Sequence, residues 1–228
     1  MTTPSNPKPR RIYLIGPASV GKTTLCNVIA NHLSLPPSVH VAEVARDVIR
    51  ARGWTREDIG LLEMQQAILD AHAEKERQVI ERTATENFER GGIQLLCDRS
   101  AVDPIVYAVL TSSRVADADA TGSGSGSGSG SSSTGTSLEN ARRDSLIQSP
   151  SFQAILPMYL SPLSSFYLLE PVESWLKDDG FRYVGEQLES FEIFKRVLGE
   201  LGIVYRLIGK DMLDLDERIR FVLNDPDE

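Results

Sequence analysis

A chain of 228 residues with 41% hydrophobic and 25% charged side chains has the size and balance of one globular domain with a single core. Its formal net charge of −8 argues against bulk nucleic acid or an anionic membrane as partner. It leaves room for a small phosphorylated ligand, which needs only a local cluster of cations.

Two cysteines, Cys26 and Cys97, are too few for a disulfide framework, and both lie in apolar stretches. They read as small buried side chains in a reducing compartment. No apolar run approaches the ~18 residues of a transmembrane helix, and the first residues contain no secretory apolar core, so a cytoplasmic location is expected. His32, His40 and His72 are scattered, with no metal-ligand spacing.

Residues 1–9 are polar and Pro-rich and read as a disordered tail. The apolar run from Arg11 to Ile15, bounded by Gly16-Pro17, has the character of a buried parallel strand. Lys22 to Leu33 follows as a helix ended by Pro36-Pro37, and Val39 to Val44 as a second short strand. Thr55 with Asp58 forms a capping-box pattern that opens a long helical segment ending near Gly91-Gly92. Ile93 to Cys97 is a third buried strand, ended by Asp98, and Pro104 begins a helix to about Leu110.

The composition then shifts to a Gly/Ser tract, and residues 112–140 read as a flexible surface insertion. Beyond it come a strand from Phe166 to Leu169, a helix from Gly185 to Leu201, a strand from Val204 to Ile208, and a helix capped by Asp214. Strands alternating with helices give a single α/β domain over 10–224, with a mainly parallel five-stranded sheet and helices on both faces.

Between the first strand and its helix stands Gly16-Pro-Ala-Ser-Val-Gly-Lys22-Thr23, a full match to G-x-x-x-x-G-K-[ST]. Glycines let the backbone curl until its N–H groups face phosphate oxygens, and the helix dipole adds to the attraction. Gly16, Ala18, Ser19, Val20, Gly21, Lys22, Thr23 and Thr24 are therefore expected to hold a nucleotide. Lys22 serves the β- and γ-phosphates and the Thr23 hydroxyl a Mg²⁺ ion. The pattern implies a three-layer P-loop NTPase fold with ATP and Mg²⁺ as ligands.

Parallel sheets bind ligands at the carboxyl ends of their strands. Asp98 sits there as a second Mg²⁺ ligand, or else as a helix cap. Glu43 either takes a proton from an acceptor hydroxyl or pairs with Arg46. Arg46 and Arg99 either fork onto phosphate or substrate oxygens or remain surface cations. Gln65 and Gln66 offer amides to a substrate, although neighbours on a helix cannot both point inward. After the fourth strand, Gly180 and Arg182 suit a mobile loop that brings a cation to phosphate. Trp175 either stacks on a ring or packs. Arg142 and Arg143 are lid cations or a solvated pair.

Taken together, the phosphate loop, Glu43-Val-Ala-Arg46, the glutamine pair, Asp98-Arg99-Ser100 and Trp175…Asp178-Asp179-Gly180-Phe181-Arg182 resemble the NadR-like P-loop group. That group includes the ribosylnicotinamide kinase domain and related eukaryotic AAA-type domains. The resemblance covers about residues 10–224, and the Gly/Ser insertion departs from it. It implies a kinase-like fold that uses ATP and Mg²⁺ to phosphorylate a nucleoside- or nucleotide-like small molecule. Lys22 and Thr23 would bind the nucleotide, Glu43 and Asp98 would face metal and acceptor, Asp179 would serve the substrate, and Arg182 would lie close to phosphate.

The rival reading is a nucleotide-dependent switch or trafficking module with no metabolite acceptor. Its GTP form lacks an N-K-x-D motif. A mechanical ATPase would need a second acidic residue beside Asp98, where Arg99 stands.

Overall fold

The computed structural model describes residues 10–42, 44–84, 92–112, 131–175 and 184–224. The strands are β1 (Arg10–Ile15), β2 (His40–Val41), β3 (Ile93–Asp98), β4 (Ser164–Leu169) and β5 (Tyr205–Ile208). They form one sheet in the order β2-β3-β1-β4-β5, and every neighbouring pair is parallel. All carboxyl ends therefore lie along one edge.

Alternation along β1 decides how the layers stack, because successive side chains point to opposite faces. Tyr13 and Ile15 enter one apolar cluster; Ile12 and Leu14 enter the other. The second cluster is closed by α1 (Lys22–His32) and α8 (Leu215–Leu223). The first is closed by α3 (Leu62–Ala84), α4 (Val102–Leu110), α5 (Ser131–Ile147), α6 (Pro150–Tyr159) and α7 (Val184–Leu201). Helices on both faces of a five-stranded parallel sheet make the three-layer α/β arrangement of P-loop NTPases.

An aromatic group anchors the larger cluster. Tyr13 stacks on Phe166 at 4.4 Å between ring centroids, and Tyr159 meets both edge-on at 5.2 Å. Such contacts add to area burial and fix ring orientation.

Several local expectations are corrected. Strand β2 covers only His40–Val41; Val44 already begins α2 (Val44–Arg52), which carries Arg46. The Thr55–Asp58 capping box forms, with the Thr55 N–H donating to Asp58 Oδ2 at 2.7 Å, but it closes a 3₁₀ turn over Arg56–Gly60. Leu61 is extended, so the long helix starts afresh at Leu62. In the 112–140 stretch, helix begins at Ser131, while 113–130 lie outside the described residues. Packing accounts for that helix: Leu146 is fully buried, and α5 lies against α4 and α3.

Arg142 and Arg143 part company on α5. Arg142 is buried and donates to the carbonyls of Gly60 (2.6 Å) and Ala108 (3.2 Å), tying three segments together. Arg143 pairs near the surface with Asp144 and Glu200. Arg142→Met removes the side-chain donor of the Gly60 carbonyl and leaves Ala108 with only the Ser112 hydroxyl among side-chain donors, so it should lower stability by about 2 kcal/mol. Arg143→Ala should cost under ~1 kcal/mol. Urea unfolding midpoints of the two variants check the difference.

Candidate functional site

The loop from Gly16 to Gly21 leaves the end of β1 with three positive φ angles: Gly16 at +136°, Ser19 at +63° and Gly21 at +91°. Alternating backbone of this kind turns N–H groups towards a common centre. A Cβ on Gly16 would stand 2.8 Å from the Leu169 carbonyl oxygen at the end of β4, so both space and conformation demand glycine. Gly21 starts α1 with no capping side chain and no acidic residue in the first turn, which suits that turn to an anionic ligand.

Lys22 is buried, and its Nζ donates to the carbonyls of Gly16, at 2.7 Å, and Pro17. The ammonium is thereby folded over the loop. Thr23 Oγ1 donates to Asp98 Oδ2 at 2.6 Å. This contact arises because β3 is the direct neighbour of β1, with Leu14 opposite Asp98 in register. Asp98 is 4% exposed, and its other oxygen, Oδ1, is buried without a hydrogen-bond partner. The cap role for Asp98 is not taken: α4 starts after Ala101, and Asp103 accepts from Ser100 instead.

Arg99 turns the chain at a positive φ of 84°, and its guanidinium donates to Asp103 at 3.1 Å. Burial pushes the Asp103 carboxyl up, against the pull of Arg99 and Lys22.

Beside the loop opens a cavity of about 310 Å³, within the usual range for small-molecule sites. Ala18 and Thr23 line it from the phosphate loop, Asp98 from the end of β3 and Arg99 from the turn after it, and Arg46 from α2. Gln65 lines it too and is oriented by a 2.7 Å bond to the Ile59 carbonyl. Gln66 turns away to Asp70 and has no part in it. Ser19 and Thr24 lie exposed at the loop and the start of α1. Glu43, Asp179 and Arg182 lie outside the described residues.

Several lining residues are new. His72, Asp103, Tyr107, Gln187 and Ser190 reach the cavity, and Gln187 Oε1 and Ser190 Oγ are buried with no hydrogen-bond partner. Their spacing of three on α7 was a usable signal, since it sets two polar residues on a stripe continued by Phe194 and Val197.

Arg218 had no such signal in its charged helix. It is 2% exposed, donates from Nε to the Met212 carbonyl at 2.6 Å, and lies 4.5 Å from the centre of the Trp175 ring. Trp175 thus packs on a cation beside Gly21, an alternative to both a ligand ring and simple core packing.

A family model described as an AAA domain matches residues 11–218. The chain belongs to the AAA domain family. Comparison with curated proteins and with solved structures returns no match. Membership supports nucleotide binding and NTPase activity for this AAA domain, and such domains generally use ATP and Mg²⁺. Among its described residues, no helix is long and apolar enough to cross a membrane.

Two glycines test the loop. Gly53 also has a positive φ, of 68°, but a Cβ there meets nothing within 4 Å. Gly53→Ala should cost about 1–2 kcal/mol, the ordinary strain of a left-handed residue. Gly16→Ala adds a collision with β4 and should cost clearly more, with loss of nucleotide binding. Thermal unfolding and nucleotide titration of both variants measure this.

Proposed function

We propose that this AAA domain is an ATP–Mg²⁺-dependent kinase of the NadR-like type, transferring the γ-phosphoryl group to a hydroxyl of a nucleoside- or nucleotide-like small molecule. The observation that carries the reading is the cavity that extends from the Thr23–Asp98 contact. Its walls combine apolar residues such as Ile49, Met64, Ile68 and Leu110 with the amide and hydroxyl of Gln187 and Ser190. A domain that only hydrolysed ATP would need a path for water, whereas this cavity continues from the phosphate loop into a wall of mixed apolar and amide character. The direct pairing of β1 with β3 also supports it, since no strand between them carries an acidic residue for activating water.

Thr23 and Asp98 fit Mg²⁺. Their oxygens are the hard donors this ion prefers, and the unpartnered Asp98 Oδ1 is a buried lone pair awaiting one. Bound there, the ion would neutralise charge on the β- and γ-phosphates.

The remaining work falls to the chain. Lys22 exchanges the Gly16 and Pro17 carbonyls for phosphate oxygens. Arg99 and Arg46 hold the acceptor's polar groups, and Gln65, Gln187 and Ser190 orient it. The acceptor oxygen forms a bond to the γ-phosphorus as the bond to the bridging oxygen breaks. Glu43 takes the hydroxyl proton and ADP leaves, with Arg182 serving the transferring phosphate and Asp179 the substrate.

Following ADP release with a panel of nucleosides, nucleotides and short RNAs tests this. Acceptor-dependent release should appear with at least one small molecule and fall by about 10²–10⁴-fold in Glu43→Gln. Slow release unchanged by every acceptor would overturn the kinase reading and favour the switch. Lys22→Ala should abolish nucleotide binding on either reading.

A further inference from the structure

Behind the cavity, where α3 crosses the end of β3, three metal-ligating side chains meet. His72 and Glu76 are one helical turn apart on the inner face of α3, and Cys97 is the residue of β3 just before Asp98. They are 1%, 0% and 0% exposed, and one donor atom from each lies within 4.8 Å of the others. We infer that His72, Glu76 and Cys97 form a binding site for one borderline-soft divalent cation of the Zn²⁺ class, separate from the nucleotide's Mg²⁺.

Orphaned polar atoms carry the inference. Both ring nitrogens of His72 and Oε2 of Glu76 are buried without a hydrogen bond, and the Tyr13 hydroxyl, itself buried and unpartnered, is a further polar neighbour of Glu76. Groups like these are costly to leave unpaired, and in native structures they point to a bound ion or water. A direct bond does not account for them, because His72 Nδ1 stands 3.6 Å from Glu76 Oε1, too far for one. The three donor atoms, each within 4.8 Å of the others, can instead be drawn together by one ion, since ligand atoms of a tetrahedral zinc site stand roughly 3.4 Å apart. Imidazole, carboxylate and thiolate are the ligand types zinc takes, and a thiolate selects against Mg²⁺.

The surroundings supply what such a site requires. Glu76 Oε1 accepts from the Tyr159 hydroxyl at 3.0 Å, and that hydroxyl accepts from the Ala101 N–H at 2.9 Å. This outer partner fixes the carboxyl and leaves Oε2 for the ion. Burial holds the His72 imidazole neutral, with its pKa pushed down to about 3, and pushes the Glu76 carboxyl up. A divalent ion with one thiolate and one carboxylate sums to zero charge, which suits a buried site. His72 also lines the nucleotide-side cavity, which gives an entry path. The bound ion ties α3 to β3 directly before Asp98 and so steadies that carboxylate.

The experiment is Co²⁺ titration of the metal-stripped full chain, both folded and refolded with Co²⁺ present, followed by absorption. One equivalent should bind with a thiolate-to-cobalt charge-transfer band and raise the melting temperature. Cys97→Ser should lose the band, Cys26→Ser and Asp98→Asn should keep it, and Tyr159→Phe should keep it with affinity weakened about tenfold. The inference is overturned by no stoichiometric binding, by binding without the thiolate band, or by a band that follows Cys26. None of these readouts involves nucleotide or acceptor, so failure here leaves the kinase reading standing, and the reverse holds too.

Discussion

The site depends on the direct parallel pairing of β1 with β3. That pairing sets Leu14 opposite Asp98, and the next turn of chain from each strand brings Thr23 and the Asp98 carboxylate to 2.6 Å. A hydroxyl at the first turn of α1 and an acid at the end of a buried strand are ordinary features alone. Held together at one sheet edge, beside backbone curled for phosphate, they become a place for a nucleotide and its cation. Gly16 belongs to the same constraint, because the loop must pass 2.8 Å, at its would-be Cβ, from the end of β4.

Holding an acid at that edge is costly, and the buried polar network behind it offsets the cost. Arg99 takes a left-handed backbone conformation so that its N–H continues the ladder to the Leu14 carbonyl while its guanidinium reaches Asp103. Strain of this kind persists only where neighbours over-determine it. Here Ser100 bonds Asp103, Tyr159 bonds both Ala101 and Glu76, and the stacked Tyr13 and Phe166 hold Tyr159 in place. Phosphate loop, acidic strand end and aromatic core are thus joined by one continuous set of contacts.

Much of this was legible because its signals are local. The glycine spacing before Lys22, the apolar runs of β1 and β3, and the acid ending β3 each follow from chemistry within a few residues. The unread parts depend on tertiary contacts. Ser149-Pro150 is a sound helix start, and Ser149 does cap α6, but nothing nearby shows that Phe152 and Tyr159 complete the core. The helix through Ser131–Ile147 overrides a Gly/Ser-rich beginning because Arg142 and Leu146 find partners across the fold. His72 looked solitary among the histidines, but Glu76 one helical turn on was a readable partner, and only Cys97 needs α3 to lie across β3 before it joins them. Arg218 reaches the phosphate loop through a separation of 198 residues, which no spacing rule reveals.

The most direct test of the account is the Mg²⁺ dependence of ATP affinity in the wild-type chain and in Asp98→Asn, measured by calorimetry with a non-hydrolysable analogue. If the Thr23–Asp98 junction holds the nucleotide's cation, Mg²⁺ tightens wild-type binding by at least about tenfold, or ~1.4 kcal/mol. Asp98→Asn should keep the Mg²⁺-free affinity and lose that gain. An equal gain from Mg²⁺ in both proteins would contradict the account.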